Sequence, residues 1–204
     1  MPRFQGWVVK LGGSLGDSPR LMPWLSALAQ PAARCIVVPG GGRFADAVRM
    51  AQADWGLADD AAHAMALLAM AQYGLALHAR APTLAVARGL EGLERTDPTG
   101  PRLWLPELAD QLALDRDGLP RDWSLSSDSL ALWLANRLDA KALVLVKSLE
   151  GQGTWNCTAA QLQDFSAQGV LDTFFPNLRP ACPVHVLAAG CDPGNLPGLC
   201  SSAG

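Results

Sequence analysis

The sequence predicts an α/β protein, a three-layer αβα sandwich around a mainly parallel central sheet. Three features lead there. Short, continuously apolar runs rich in Val, Ile and Leu recur along the chain, as in strands buried on both faces. Amphipathic or apolar helical segments separate them, which implies right-handed βαβ crossovers. Several of the runs end in glycines or a lysine, at the strand edge where ligands gather in such folds.

The first run is "WVVKL" (7–11), closed by Gly12 and Gly13. A helix over 18–30 follows, with Ser18 as a candidate cap and Pro19 at its first position. "RCIVVPGGG" (34–42) repeats the pattern of strand then glycines, and 43–56 reads as a helix ending at Gly56. The segment 58–79 is a helix apolar on nearly every face, suited to central burial or to packing on another subunit. Strands are expected at 83–87 and 102–106, separated by a turn-rich stretch, "GLEGLERTDPTG". A polar loop follows at 114–122. Residues 124–140 read as a capped helix and "KALVLVKS" (141–148) as a strand. The last quarter reads as a helical pair, "TAAQLQDFSAQG" and "VLDTFFPNLR", then the strand "CPVHVLAAG" (182–190) and a Gly/Pro-rich tail. One domain over 1–204 is expected, in two regions, approximately 1–122 and 123–204.

Composition narrows the function classes. Half of the 204 residues are apolar and 17% are charged, which is globular rather than disordered. A net charge of −3 without any Lys/Arg run argues against a nucleic-acid partner. Five scattered cysteines and three dispersed histidines offer no zinc spacing, so no metal site in the protein is expected, and reduced thiols fit a cytoplasmic location. The N-terminus is not a signal peptide, and 61–77 is interrupted by His63, Gln72 and Gly74, so no membrane span is expected.

Residues 12–16, Gly-Gly-Ser-Leu-Gly, fit the G-x-S-x-G pattern of a hydrolase nucleophile elbow centred on Ser14. That reading needs an earlier loop to supply an oxyanion hole, and nothing precedes the first strand to do so. A phosphate cradle uses more of the residues. Gly12 and Gly13 let the backbone approach an anion closely, and Lys10 stands near the strand's edge on the same face as Gly12. Lysine in a buried strand is costly unless its ammonium meets an anion; the plain structural alternative is a snorkelling lysine paired with a carboxylate. Gly40, Gly41 and Gly42 make a second turn of the same kind. Asp128 falls in the first turn of its helix, where acids also occur for capping alone. Lys147 ends an apolar strand. Neither a Walker A nor a G-x-G-x-x-G pattern occurs. Arg43 and Arg49 are further cations, and Asp46, Asp59 and Asp60 further acids, on the helices that follow these turns, where a solvated helix face is the plain reading of each. His63, on an apolar helix, reads as a core or interface histidine.

Taken in order, Lys10-Leu-Gly-Gly-Ser14, the Pro-Gly-Gly-Gly turn at 39–42, Ser-Ser-Asp-Ser-Leu-Ala at 126–131, "LVLVKSLEG" at 143–151 and "PVHVLAAGCDPGNL" resemble the amino acid kinase superfamily. That superfamily includes aspartate, acetylglutamate, uridylate, isopentenyl phosphate and carbamate kinases. Within it, "DDAAHAMALLAMAQYGLAL" (59–77) resembles the small kinases of methanofuran biosynthesis. Those enzymes convert an aminomethylfuran methyl phosphate into its diphosphate with ATP. The apolar 58–79 helix leads us to expect a homo-oligomer, and the resemblance implies the carbamate kinase-like fold, ATP with Mg²⁺ and a small-molecule acceptor. It implies Lys10, Asp128 and Lys147 as catalytic residues, Gly12, Gly13, Ser14 and Gly151 on the nucleotide phosphates, and Gly40, Gly41, Gly42 and Arg43 on the acceptor. It places acceptor binding in 1–122 and nucleotide binding in 123–204. The sequence departs from the superfamily at Ser148-Leu149-Glu150-Gly151, where an Asp-x-Asp-Gly-like turn is usual, and in the short segment 152–181. An acyl-phosphate-forming kinase and a non-catalytic nucleotide- or oxyanion-binding module of the same fold remain as alternatives.

Overall fold

The computed structural model describes residues 4–95, 99–151 and 153–195. Among the described residues, seven strands form one sheet: β1 (Trp7–Leu11), β2 (Cys35–Pro39), β3 (Ala85–Arg88), β4 (Arg102–Leu105), β5 (Ala142–Lys147), β6 (Thr154–Asn156) and β7 (Val184–Ala188). Their order is β3-β4-β2-β1-β5-β7-β6, parallel throughout except that β6 runs antiparallel to β7. The α-helices of the described residues that join them are α1 (Leu21–Leu28), α2 (Gly42–Trp55), α3 (Asp59–Arg80), α4 (Gly89–Arg95), α5 (Gln111–Arg116), α6 (Ser127–Arg137) and α7 (Ala159–Ala167).

Alternation along β1 divides the core into two layers. Val8, with Ile36, Leu143 and Leu145, packs against Leu130, Ala131 and Leu134 of α6. Val9 and Leu11, with Val37 and Val144, pack against Trp24, Leu25 and Leu28 of α1. Helix α3 serves both layers, giving Leu67 and Met70 to the first and Tyr73 and Leu77 to the second. The three-layer arrangement expected from the sequence is therefore the one observed.

Local boundaries differ where tertiary contacts outweigh local signals. Helix α1 starts at Leu21, because Ser18 and Pro19 form the turn before it, with Ser18 Oγ accepting from the Arg20 N–H (3.2 Å). The stretch read as turn-rich carries α4, opened by Gly89 at φ 59° and anchored by Asp110, which accepts the Leu90 N–H at 2.8 Å. The loop expected at 114–122 loses its first residues to α5. Of the helical pair only α7 forms; "VLDTFFPNLR" holds a single turn at Phe175–Asn177, since Asp172 is drawn away to another helix. The edge strand β6 has no counterpart in the sequence reading. The tail from 196 onward lies outside the described residues.

Candidate active site

Lys10 pairs in register with Val38 on β2 and Leu145 on β5, so it stands in the middle of the sheet, one residue from the end of β1. Its side chain shares a face with Val8, the face covered by α6. Lys147 ends the neighbouring β5 two residues after Leu145, on that same face. Helix α6 lays its N-terminus over this edge. Ser126 caps it, accepting the Asp128 N–H (3.4 Å), and this fixes Asp128 in the first turn.

These placements bring three charges together. Lys10 Nζ lies 2.9 Å from Asp128 Oδ1, and Lys147 Nζ donates to Oδ2 at 2.6 Å. Lys10 and Asp128 are 5% and 3% exposed, so two ammonium groups and one carboxylate share a nearly dry site. Burial alone would raise the Asp128 carboxyl, but the flanking lysines outweigh it and hold Asp128 below its ordinary value. Lys147 is lowered, by burial first and then by the charge of Lys10, with Asp128 opposing. The carboxylate stays ionised at neutral pH, which leaves the cluster with one excess positive charge at the head of a cleft. Such a site favours an anion.

The cleft has a volume of about 480 Å³ and runs from the lysines between the glycine turns, α2, α3 and the segment before α6. Gly13, Ser14, Gly41, Gly42 and Arg43 line it beside Lys10, Asp128 and Lys147. The two glycine turns are pressed together: a Cβ on Gly13 would collide with the Gly42 backbone, and one on Gly40 with that of Gly13. Gly42 also has φ 53°, in the region that disfavours a side chain. Gly12 and Gly40 sit behind this lining, their N–H groups given to Val146 O (3.2 Å) and Leu11 O (2.9 Å). Gly151 lies elsewhere, in a neighbouring depression with Ser148, Ser18 and Arg20. A hydrogen bond between Ser14 Oγ and Ser148 Oγ (2.8 Å) links the β1 turn to the β5 turn between the two hollows. Arg43 pairs with Asp17 at the exposed mouth (2.6 Å).

Of the other residues considered, Arg49 and Asp46 line the cleft as a pair (3.0 Å). Asp59 instead takes the Gln52 carboxamide (2.8 Å), and neither Asp59 nor Asp60 reaches the cleft lining. His63, read as a core histidine, is buried but also lines the cleft. Among the further lining residues that the sequence reading did not single out, two have polar partners of note. Trp123 stacks under Arg49, whose guanidinium carbon is 4.1 Å from the ring centroid, and donates Nε1–H to Gln52 (2.5 Å). Asp172 accepts the N–H groups of Ser126 (3.0 Å), Ser129 (3.0 Å) and Phe175 (2.9 Å), and both serine hydroxyls. Only its bond to Phe175, three residues on, had a local sequence signal. Among the described residues no group of three His, Cys, Asp or Glu side chains is arranged to hold a metal.

No family model matches the chain. A curated relative, [5-(aminomethyl)furan-3-yl]methyl phosphate kinase of Methanocaldococcus jannaschii, is 27% identical over 149 residues, covering 71% of this chain. The match spans 66% of that relative's length, just under two thirds. Among solved structures, uridylate kinase from Archaeoglobus fulgidus superposes with a TM-score of 0.69 at 17% identity, covering 94% of each chain. UMP kinase from Bacillus anthracis gives 0.61 at 15% identity, over 93% of this chain and 88% of that one. UMP kinase from Ureaplasma parvum gives 0.59 at 13%, over 95% and 92%.

Proposed function

We propose, for a chain that has the fold of the amino acid kinase superfamily, that its cleft transfers the γ-phosphoryl group of ATP to a phosphate monoester. The acceptor we assign is [5-(aminomethyl)furan-3-yl]methyl phosphate or a near analogue, giving the diphosphate and ADP. The observation that carries this reading is the buried Lys10–Asp128–Lys147 cluster, whose excess positive charge faces the cleft. The relative's activity supplies the acceptor class.

Phosphoryl transfer asks a protein for positioning and charge neutralisation more than for covalent chemistry. Lys10 and Lys147 supply the charge, and Asp128 holds both ammonium groups at fixed points without becoming a base, because both its oxygens are engaged. Gly13 and Gly42 hold the two turns close enough for backbone to approach phosphate oxygens, and the first N–H groups of α2 have no acceptor within their own helix. We place the acceptor phosphate against Gly41, Gly42 and Arg43, and the nucleotide phosphates at Gly13 and Ser14. The hollow past the Ser14–Ser148 bond, with Gly151 and Arg20, continues this side. Gly12 and Gly40 serve by letting the turns pack. Residues 1–122 would then hold the acceptor and 123–204, together with the β1 turn, the nucleotide. Asp128 and Asp172 are saturated by their own partners, so Mg²⁺ fits here as an ion carried by the nucleotide phosphates, whose charge it would offset.

No described helix is long and apolar enough to cross a membrane. A cytoplasmic location is part of this proposal and rests on the reading of the five scattered cysteines as reduced thiols. Leu68 and Leu75 of α3 are each 43% exposed, and we assign that helix side to contact between two copies, a homo-oligomer.

The test is turnover with ATP, Mg²⁺ and the furan phosphate, followed by ³¹P NMR for a diphosphate. Lys10→Ala should abolish it while leaving the circular dichroism unchanged. Turnover only with carboxylates would instead favour the acyl-phosphate alternative, and ATP binding without any turnover the binding module.

A further inference from the structure

Among the described residues four carboxylates line the cleft, and their partners sort them. Asp128 has one lysine on each oxygen, and Asp172 is filled by backbone N–H groups and serine hydroxyls. Asp17 and Asp46 are each held through one oxygen only, by Arg43 and Arg49. Asp17 follows the β1 turn, on the side assigned to the nucleotide. Asp46 stands on α2, on the acceptor side, with 70% of its side chain open.

A chain of contacts sets the Asp46 carboxylate in place. Gln52 accepts the Trp123 indole N–H, the Trp123 ring lies under the Arg49 guanidinium, and Arg49 Nη1 donates to Asp46 Oδ1 at 3.0 Å. Trp123, Arg49 and Asp46 all line the cleft, so the carboxylate stands at its wall. Exposed ion pairs contribute little to stability; the consequence of this one is where it leaves the second oxygen. Asp46 Oδ2 has no hydrogen bond or ion pair among the described residues.

Spacing then links that oxygen to the acceptor. Gly42, against which the acceptor phosphate is placed, and Asp46 are i and i+4 on α2, one turn or about 6 Å apart along its axis. That is close to the span of a five-membered ring with a methylene on either side. Ala66, Leu67 and Met70 of α3 add apolar surface to the same cleft, which suits the ring.

We infer that Asp46 is the specificity-determining residue of the acceptor site, accepting a hydrogen bond from a primary ammonium on Oδ2 while Arg49 keeps Oδ1. This rests on the phosphomonoester-kinase reading above and adds the group by which the acceptor is chosen. Two N–H cations then share one carboxylate, as the lysines share Asp128.

The experiment compares two acceptors, [5-(aminomethyl)furan-3-yl]methyl phosphate and the analogue with methyl in place of aminomethyl, on the wild-type chain, Asp46→Asn, Asp46→Glu and Asp17→Asn. The wild type should favour the amine by about tenfold in kcat/KM, the low end for a hydrogen bond to a charged group because the wall is open to water. Added salt should shrink that ratio, since the phosphate contacts are common to both acceptors. Asp46→Asn, isosteric and exposed and so expected to fold, should bring the ratio near one through a raised KM for the amine alone. Asp46→Glu, which keeps the charge, should retain part of it, and Asp17→Asn all of it. A ratio that survives Asp46→Asn overturns the assignment, as does one lost in Asp17→Asn, which moves the amine to the mouth. An equal loss on both acceptors in Asp46→Asn overturns it as well, since that marks a general effect on α2. Equal use of both acceptors by the wild type overturns the assignment and leaves the kinase reading standing. Failure of the wild type on both overturns the kinase reading and this assignment with it.

Discussion

Asp128 is the residue on which the site turns. Replacing it with Ala leaves two buried ammonium groups facing each other, a loss of about 3–5 kcal/mol for a broken buried pair; urea denaturation of Asp128→Ala against wild type measures it. Because its folded pKa is depressed, the stability it contributes is present above the unfolded carboxyl value of 3.8 and lost as pH falls through the lower folded value. The acid limb of activity therefore does not belong to Asp128. Lys147, lowered from 10.5, loses its proton earlier than an ordinary lysine as pH rises. We expect activity to decline on the alkaline side below that value, and Lys147→Arg, whose guanidinium stays charged, to move that limb upward even if kcat falls. The two lysines were legible in the sequence because a lysine closing an apolar strand is anomalous wherever it occurs. His63 was not legible as a lining residue, since an isolated histidine on an apolar helix reads the same whether or not a cleft lies beside it.

Elements place these residues, and α6 has the most to hold. Its first turn meets the sheet edge where both lysines emerge, and its N-terminal N–H groups need acceptors. Ser126 supplies one, and Asp172 binds the Ser126 and Ser129 amides from a loop more than forty residues away. Asp172→Ala strands several donors at once, and about 2–4 kcal/mol should be lost, together with faster amide exchange at Ser126 to Leu130. Unchanged exchange there would mean that the serine cap alone suffices. The cap itself was readable, since Ser-Ser-Asp before an apolar periodic run is a helix start. The role of Asp172 depends on a fold-level meeting of two segments, and its own segment looked helical only because its apolar residues have helix-compatible spacing. The glycine turns show the opposite case. Their recurrence after two apolar runs marked the strand ends correctly, yet which glycines line the cleft and which sit behind it depends on how the turns interlock.

At the scale of the whole molecule, the division into an acceptor part and a nucleotide part does not divide the fold. β1 pairs with β2 on one side and β5 on the other, so the sheet runs unbroken across that boundary. The α6 layer likewise mixes Val8 and Ile36 with Leu130 and Leu143. Lys10 and Lys147 come from adjacent parallel strands that are far apart in sequence, so the site cannot form until the central strands have joined. Such long-range parallel pairing is slow to nucleate and all-or-none once made. We therefore expect one unfolding transition in urea, with ATP-dependent turnover and far-UV circular dichroism lost at the same midpoint, and no folded structure in the isolated fragment 1–122. A fragment that folds, or turnover lost well before the dichroism, would mean that the two parts are separate cooperative units. The Ser14–Ser148 bond would then be a contact between domains. A single transition instead makes that bond part of one rigid edge, against which the acceptor and the nucleotide are brought into line.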